Sequence, residues 1–299
     1  MERVFEPIFS FEDLCRICRQ ADVDATRDDA LNMSRYRKDF TDALVGKEFS
    51  CRFDDGQRLV FRFPEINRLL WSADGEVFHE EYCAPMKSTA GNVVGVYFLR
   101  RHVLPFEGAF TVFDLDTGYV TWVSVTIGAD FDEKFAHPFP HFGEIENFGT
   151  HSGENHHYST DLVGKSIDWQ YNEQFTIRHS YVTPWLTISP HMPEKGADEE
   201  EDEDYVGRRF LRAFNAKIRD GLVLTSFTEP GNCCAVLLID MKLVHDVGCF
   251  FGITYEGKLS GVTVTAMGGY GGAGLKQGDE MGYAKPACLS EEGGKQDAV

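Results

Sequence analysis

From Lys47 to Phe63 apolar and polar residues alternate with a period of two. Phe49, Cys51 and Phe53 alternate with Glu48, Ser50 and Arg52, the run Asp54, Asp55, Gly56 supplies a turn, and Leu59, Phe61 and Phe63 follow with Val60 and Arg62 between them. That period places successive side chains on opposite faces, so the stretch predicts a β-hairpin with one buried face. Further strands are predicted in RLLWS, VFHEEYCAP, NVVGVYFLRRHV, GAFTVFDLD and YVTWVSVTIG, with Asp116, Thr117 and Gly118 marking another tight turn. Upstream, Phe11, Leu14, Cys15 and Cys18 recur at helical spacing and predict a short helical lead-in.

The opening LVGK at Leu44 returns at Leu162, and the plan of the first half returns with it. SIDWQY and FTIRHSY form a second hairpin, followed by WLTIS, FNAKI, GLVLTSFTEP, CAVLLIDM and DVGCFFGITY. The two LVGK glycines are 118 residues apart (164 − 46), and Asp114 and Asp240, each closing an apolar run, are 126 apart (240 − 114). Two offsets this similar, each the size of a small domain, indicate a tandem duplication. A meander of antiparallel strands about ten residues apart closes most economically into a barrel, which leaves no exposed sheet edge. The expectation is therefore an all-β chain of two tandem antiparallel barrels. Residues 1–40 form the helical lead-in, 41–130 the first barrel, 131–158 a linker rich in His, Pro and Gly, 159–270 the second barrel and 271–299 a Gly-rich flexible tail.

Composition narrows the function classes. A formal net charge of −19 argues against nucleic acid, which needs concentrated Lys and Arg on one face. No run of about 20 apolar residues could span a bilayer, and the N-terminus lacks a secretory profile. The 8 cysteines are scattered, which fits a reduced, cytoplasmic protein. Cys15 and Cys18 make a CxxC, but no second pair stands at zinc spacing. His137, His141, His151, His156 and His157 fall in the Pro- and Gly-rich segment without a metal-binding pattern, so no metal is expected. The glycines of MGGYGGAG follow no βαβ unit, which excludes a dinucleotide loop, and the run from Ala197 to Asp204 reads as a solvated acidic loop.

Two resemblances add to this reading. LVGKEFSCRFDDGQRLVFRF with its RLLWS, and STDLVGKSIDWQY with its later IDM and FFG, resemble the family named molybdenum cofactor biosynthesis protein F over about residues 40 to 270. That likeness implies two calycin or lipocalin-like barrels in tandem. The segment from Asp220 to Phe251 resembles the central strands of bacterial phenolic acid decarboxylases, which are single small barrels. In that family a glutamate ends the SWTEP-type strand, two tyrosines follow a glycine motif, and an arginine precedes that strand. Carried over, the resemblance implies Glu229 as the glutamate, Tyr171 as the second tyrosine, Trp169 in place of the first, and Arg208 or Arg209 as the arginine. The first barrel has Cys51 and Phe53 at the tyrosine positions and no carboxylate at the glutamate's place. Its own polar candidates are His79, Glu81, Tyr97, Arg100 and His102.

The chemistry asks for these residue types. A carboxyl group inside an apolar barrel has its pKa raised by desolvation, so it can transfer a proton near neutral pH. A phenol or guanidinium can hold a substrate carboxylate, and an indole can stack on an aromatic ring. The leading expectation is a cofactor-independent lyase or isomerase that binds a hydrophobic, aromatic or polyketide-like small molecule. Glu229 and Tyr171 would be catalytic, with Trp169, Arg208, Arg209, His179, Tyr97 and Glu81 binding substrate. A homodimer is compatible with this plan. Two alternatives stay open: a non-catalytic carrier, and an accessory protein of molybdenum cofactor biosynthesis.

Overall fold

The computed structural model describes residues 33–73, 75–100, 107–126, 137–172, 175–190, 208–229, 233–253 and 259–271. The helical lead-in, the acidic run and the Gly-rich tail beyond residue 271 lie outside them. Among the described residues there is no α-helix, and the chain forms two closed eight-stranded antiparallel barrels in tandem.

The first barrel is an uninterrupted meander of β1 (Glu48–Phe53), β2 (Arg58–Glu65), β3 (Arg68–Ala73), β4 (His79–Lys87), β5 (Val93–Arg100), β6 (Glu107–Asp114), β7 (Tyr119–Thr126) and β8 (His137–Ile145). The last strand falls inside the segment expected to be a linker. Pro138 and Pro140 hid it, since proline cannot donate to a ladder. The structure shows why they are tolerated: β8 pairs with β7 throughout, but with β1 only over Gly143–Ile145, so the proline-bearing end has an unpaired edge. The first barrel thus extends to Ile145, and the connection begins only after it.

After the two-residue β9 (His157–Tyr158) the second barrel repeats the plan. It comprises β10 (Ser166–Gln170), β11 (Thr176–Thr183), β12 (Leu186–Pro190), β13 (Arg208–Arg219), β14 (Leu222–Glu229), β15 (Cys233–Asp240), β16 (His245–Ile253), β17 (Leu259–Val264) and β18 (Met267–Tyr270), and pairing of β12 with β13 closes it. Here β17 and β18 together take the place of β8: β17 pairs with the later part of β16, and β18 pairs with β10. At the break, Asp246 N–H donates to Ala266 O at 3.0 Å, while Ala266 N–H donates to the Asp246 carboxylate Oδ1 at 2.6 Å. A side chain replaces a missing backbone acceptor at the seam.

The duplication is visible bond by bond. Gly46 and Gly164 have φ of +75° and +80°, a region glycine enters without a Cβ penalty. Gly46 N–H donates to Phe63 O and Gly164 N–H to Tyr181 O, each at 2.8 Å. Lys47 N–H donates to Leu44 O and Lys165 N–H to Leu162 O, each at 3.0 Å. Asp114 Oδ1 accepts the N–H groups of Asp116 and Thr117, and Asp240 Oδ1 those of Lys242 and Leu243. This correspondence sets Cys51 against Trp169, Phe53 against Tyr171, Phe61 against His179, Val120 against Asp246, and Arg100 against Glu229.

Each barrel has its own apolar interior, and a third apolar cluster lies between them. It joins Met86, Val93, Tyr97, Leu99, Phe110 and Val112 of the first barrel to Phe214, Leu222, Leu224, Val236, Leu238 and Phe251 of the second. The contact is reciprocal. Asp114, at the β6–β7 turn, takes a bidentate pair from Arg219, at the β13–β14 turn. Asp240, at the equivalent β15–β16 turn, accepts from Thr89 Oγ1 at 2.7 Å, and Thr89 sits at the turn equivalent to that of Arg219. The barrels therefore dock about a quasi-two-fold axis, like an isologous dimer.

Burial alone would raise the Asp114 pKa, but His156 and Arg219 outweigh it and bring the group down to about 2. A carboxylate with a depressed folded pKa stabilises the fold above its unfolded pKa and loses that contribution as pH falls through the folded value. Asp114→Asn is accordingly expected to cost about 2 kcal/mol at pH 7 and almost nothing near pH 2. Urea midpoints across that range measure it, and an equal loss at both ends would refute the assignment.

Candidate functional site

The interior of the second barrel is built by the residues of one parity. Ile167, Trp169 and Tyr171 come from the first strand and its end, His179 and Tyr181 from β11, Leu211 from β13, Val223 and Phe227 from β14, Leu237 and Ile239 from β15. All are buried. Trp169 is accommodated by an exchange of volume: its partner across the ladder is Gly268, where a Cβ would meet the indole at 2.8 Å, whereas Cys51 in the first barrel faces Ile145.

Several polar residues share this apolar space. His179 packs edge-on to Phe227 with centroids 4.8 Å apart and near Tyr181 at 6.5 Å. Burial pushes its pKa down to about 4, so the ring is neutral at pH 7. Burial raises the Tyr181 phenol well above its ordinary value, and the Trp169 indole N–H faces it without full hydrogen-bond geometry. Asp246 is fully buried, and desolvation raises its carboxyl to about 7 against the bond from Ala266 and the approach of the Tyr171 hydroxyl. Trp169 Nε1, His179 Nδ1, Tyr181 Oη and Asp246 Oδ2 have no hydrogen-bond partner.

Phe61 occupies the position in the first barrel that His179 has in the second, so the fold has an apolar precedent at this position. His179→Phe is expected to gain about 1 kcal/mol at pH 8 by removing an unsatisfied nitrogen. The gain should be larger at pH 5, because an imidazole held at a depressed folded pKa destabilises the fold as pH drops below its unfolded value. Thermal melts at the two pH values check both parts.

The structure distributes the sequence-derived candidates unevenly. Trp169, Tyr171 and His179 come together inside the second barrel. Glu229 is the last residue of β14, paired with Cys233, and holds a register position of the same parity as Phe227. Arg209 pairs with Ser189 and shares parity with the interior residue Leu211, while Arg208, paired with Pro190, falls on the opposite parity. Of the two arginines, Arg209 holds the interior register position. Glu81 is buried inside the first barrel, a different compartment from the others. Tyr97 is corrected outright: it faces the second barrel across the interface, 6.0 Å from Phe251, and lines neither interior. His102 lies outside the described residues.

Asp246 escaped the sequence reading. It follows the turn residues MKLVH and looks like the end of a loop, yet its alignment with Val120 was a usable signal, since a carboxylate replaces an interior valine.

Two tandem closed antiparallel barrels are lipocalin-like in architecture, and binding of a small molecule is compatible with them. No helix among the described residues is long and apolar enough to cross a membrane. No three His, Cys, Asp or Glu residues among them converge as metal ligands. No protein-family model matches the chain, and no curated protein matches it. A solved structure of a protein of unknown function from the DUF3598 family of Nostoc punctiforme is similar at 11% identity, covering 73% of this chain and 92% of its own, with a TM-score of 0.23. That likeness is too slight to transfer a fold or a function.

Proposed function

We propose that the second barrel binds a small aromatic or polyketide-like molecule and acts on it by proton transfer, without a cofactor, as a lyase or isomerase. The observation that carries this reading is the set of buried polar atoms without partners in an otherwise apolar interior. Each such atom costs about 1–3 kcal/mol when nothing satisfies it, and a bound ligand with matching groups is an economical explanation.

The positions support a division of labour. Trp169 offers an aromatic face and an N–H donor, Tyr171 a phenol beside Asp246, and Glu229 and Arg209 stand at interior register positions on adjacent strands. For a para-hydroxycinnamic acid, loss of the phenol proton and protonation of the carbon bearing the carboxylate give a quinone methide. Cleavage of the bond to that carboxylate then releases CO2, its electron pair restores the alkene and the phenolate, and the phenolate regains a proton. Glu229 supplies the proton to carbon, and Tyr171 with Arg209 orients the carboxylate until it leaves.

Incubating the protein with hydroxycinnamic acids and related phenols while following ultraviolet absorbance tests the proposal. Turnover without added metal or cofactor is the expected result. Binding with no turnover of any compound would leave a carrier in place of the enzyme.

A further inference from the structure

The first barrel holds an arrangement that the second lacks. Arg100 ends β5 at the register position of Glu229, and its guanidinium lies over two indoles, 4.4 Å from the Trp71 ring centre and 4.9 Å from that of Trp122. Two imidazoles extend the stack: His79 lies 4.9 Å from Trp71, and His141 lies 4.6 Å from Trp122 at an interplanar angle of 19°. His141 is held from behind by Asp55 at 2.7 Å and by Ser124 Oγ at 3.1 Å. Five flat groups thus span one layer of the barrel, from β3, β4, β5, β7 and β8.

Within that layer three buried donors lack acceptors. Arg100 Nη1 donates to Glu107 Oε2 at 2.6 Å, but Arg100 Nε, Trp71 Nε1 and Trp122 Nε1 are buried without acceptors. All three are donors. Nearby Thr111, whose backbone pairs with Trp122, also has an unsatisfied hydroxyl. Burial lowers the Arg100 pKa while Glu107 and Glu81 oppose that shift, so its positive charge already faces two carboxylates. A second anion would meet repulsion there.

We infer that the Trp71–Arg100–Trp122 layer of the first barrel is a second binding site, selective for a neutral, flat molecule that carries a carbonyl oxygen, such as a lactone, quinone or aromatic ketone. The carbonyl accepts from the Arg100 Nε edge and from an indole N–H, and the ring lies against the aromatic wall. This site is independent of the second barrel and of what that barrel does, and it makes the chain a two-ligand protein.

Isothermal titration of the full chain with coumarin, a neutral lactone, provides the test, with benzoate and indane as an anionic and an acceptor-free comparison. Coumarin is expected to bind with a dissociation constant below about 1 mM, at least tenfold more tightly than either comparison. Trp122→Phe keeps the ring and removes one donor, and should weaken coumarin about tenfold, the equivalent of one hydrogen bond. Arg100→Met should weaken it by at least as much, and Leu243→Ala, an exposed position outside both interiors, should leave it unchanged. If Arg100→Met fails to fold, Trp122→Phe decides alone. The inference is overturned if coumarin gives no heat at millimolar concentration, if benzoate binds as tightly and loses that binding in Trp122→Phe, if Trp122→Phe binds coumarin like the parent, or if Leu243→Ala removes the binding.

Discussion

Asp246→Asn should stabilise the protein at pH 8 by about 2–4 kcal/mol and leave it nearly unchanged at pH 4. The parent carboxyl is neutral in the folded state up to about pH 7, because burial penalises its charge. In the unfolded chain it ionises near pH 4. A raised folded pKa contributes stability that is complete below the unfolded value and is lost as pH climbs through the folded one. Asparagine stays neutral throughout and still offers Oδ1 to the Ala266 N–H that bridges the broken final strand. Chemical denaturation at pH 4, 6 and 8 reads the effect as two curves that diverge with pH. Parallel curves would mean that the group ionises normally and that the β17–β18 seam is wetter than the structure shows.

The second large effect concerns turnover. If the second barrel performs the proposed proton transfer, Glu229→Gln and Tyr171→Phe should each lower the rate by about 10²–10⁴, the usual worth of a positioned acid or base. The two differ in a diagnostic way. Glu229→Gln removes the proton donor and should affect kcat with little change in KM. Tyr171→Phe has a tolerated counterpart in Phe53 of the first barrel, so the variant is expected to fold, and its loss reports the phenol rather than the ring. Rates equal to the parent in both variants would remove the mechanism.

Much of the fold could be read from alternation, turns and the repeated LVGK, because a strand with one wet face and one dry face shows its period directly. The failures have physical causes. VVGVYFLR in β5 is apolar on both faces, since one faces the barrel interior and the other the second barrel. Alternation is therefore erased, and Tyr97 could not be assigned its side. Strand β8 was masked by two prolines that its free edge permits. In the second barrel, spacing from Gly164 placed Trp169 and Tyr171 on one face, and the structure puts that face inside. The Trp71–Arg100–Trp122 stack was not legible, because it joins three strands whose separation in sequence carries no local pattern.

The reciprocal docking of the two barrels has a consequence for how the chain could change over time. An isologous pair formed by identical subunits must alter both sides of its interface with every substitution, and both interiors as well. Joining the copies in one chain raises the effective concentration of each for the other, so the contact tolerates weakening without dissociation. Each interior can then vary alone. Arg100 in one barrel and Glu229 at the same place in the other show how far that freedom has gone: opposite charges now stand where one ancestral residue stood, while the turn aspartates Asp114 and Asp240 still hold the copies together.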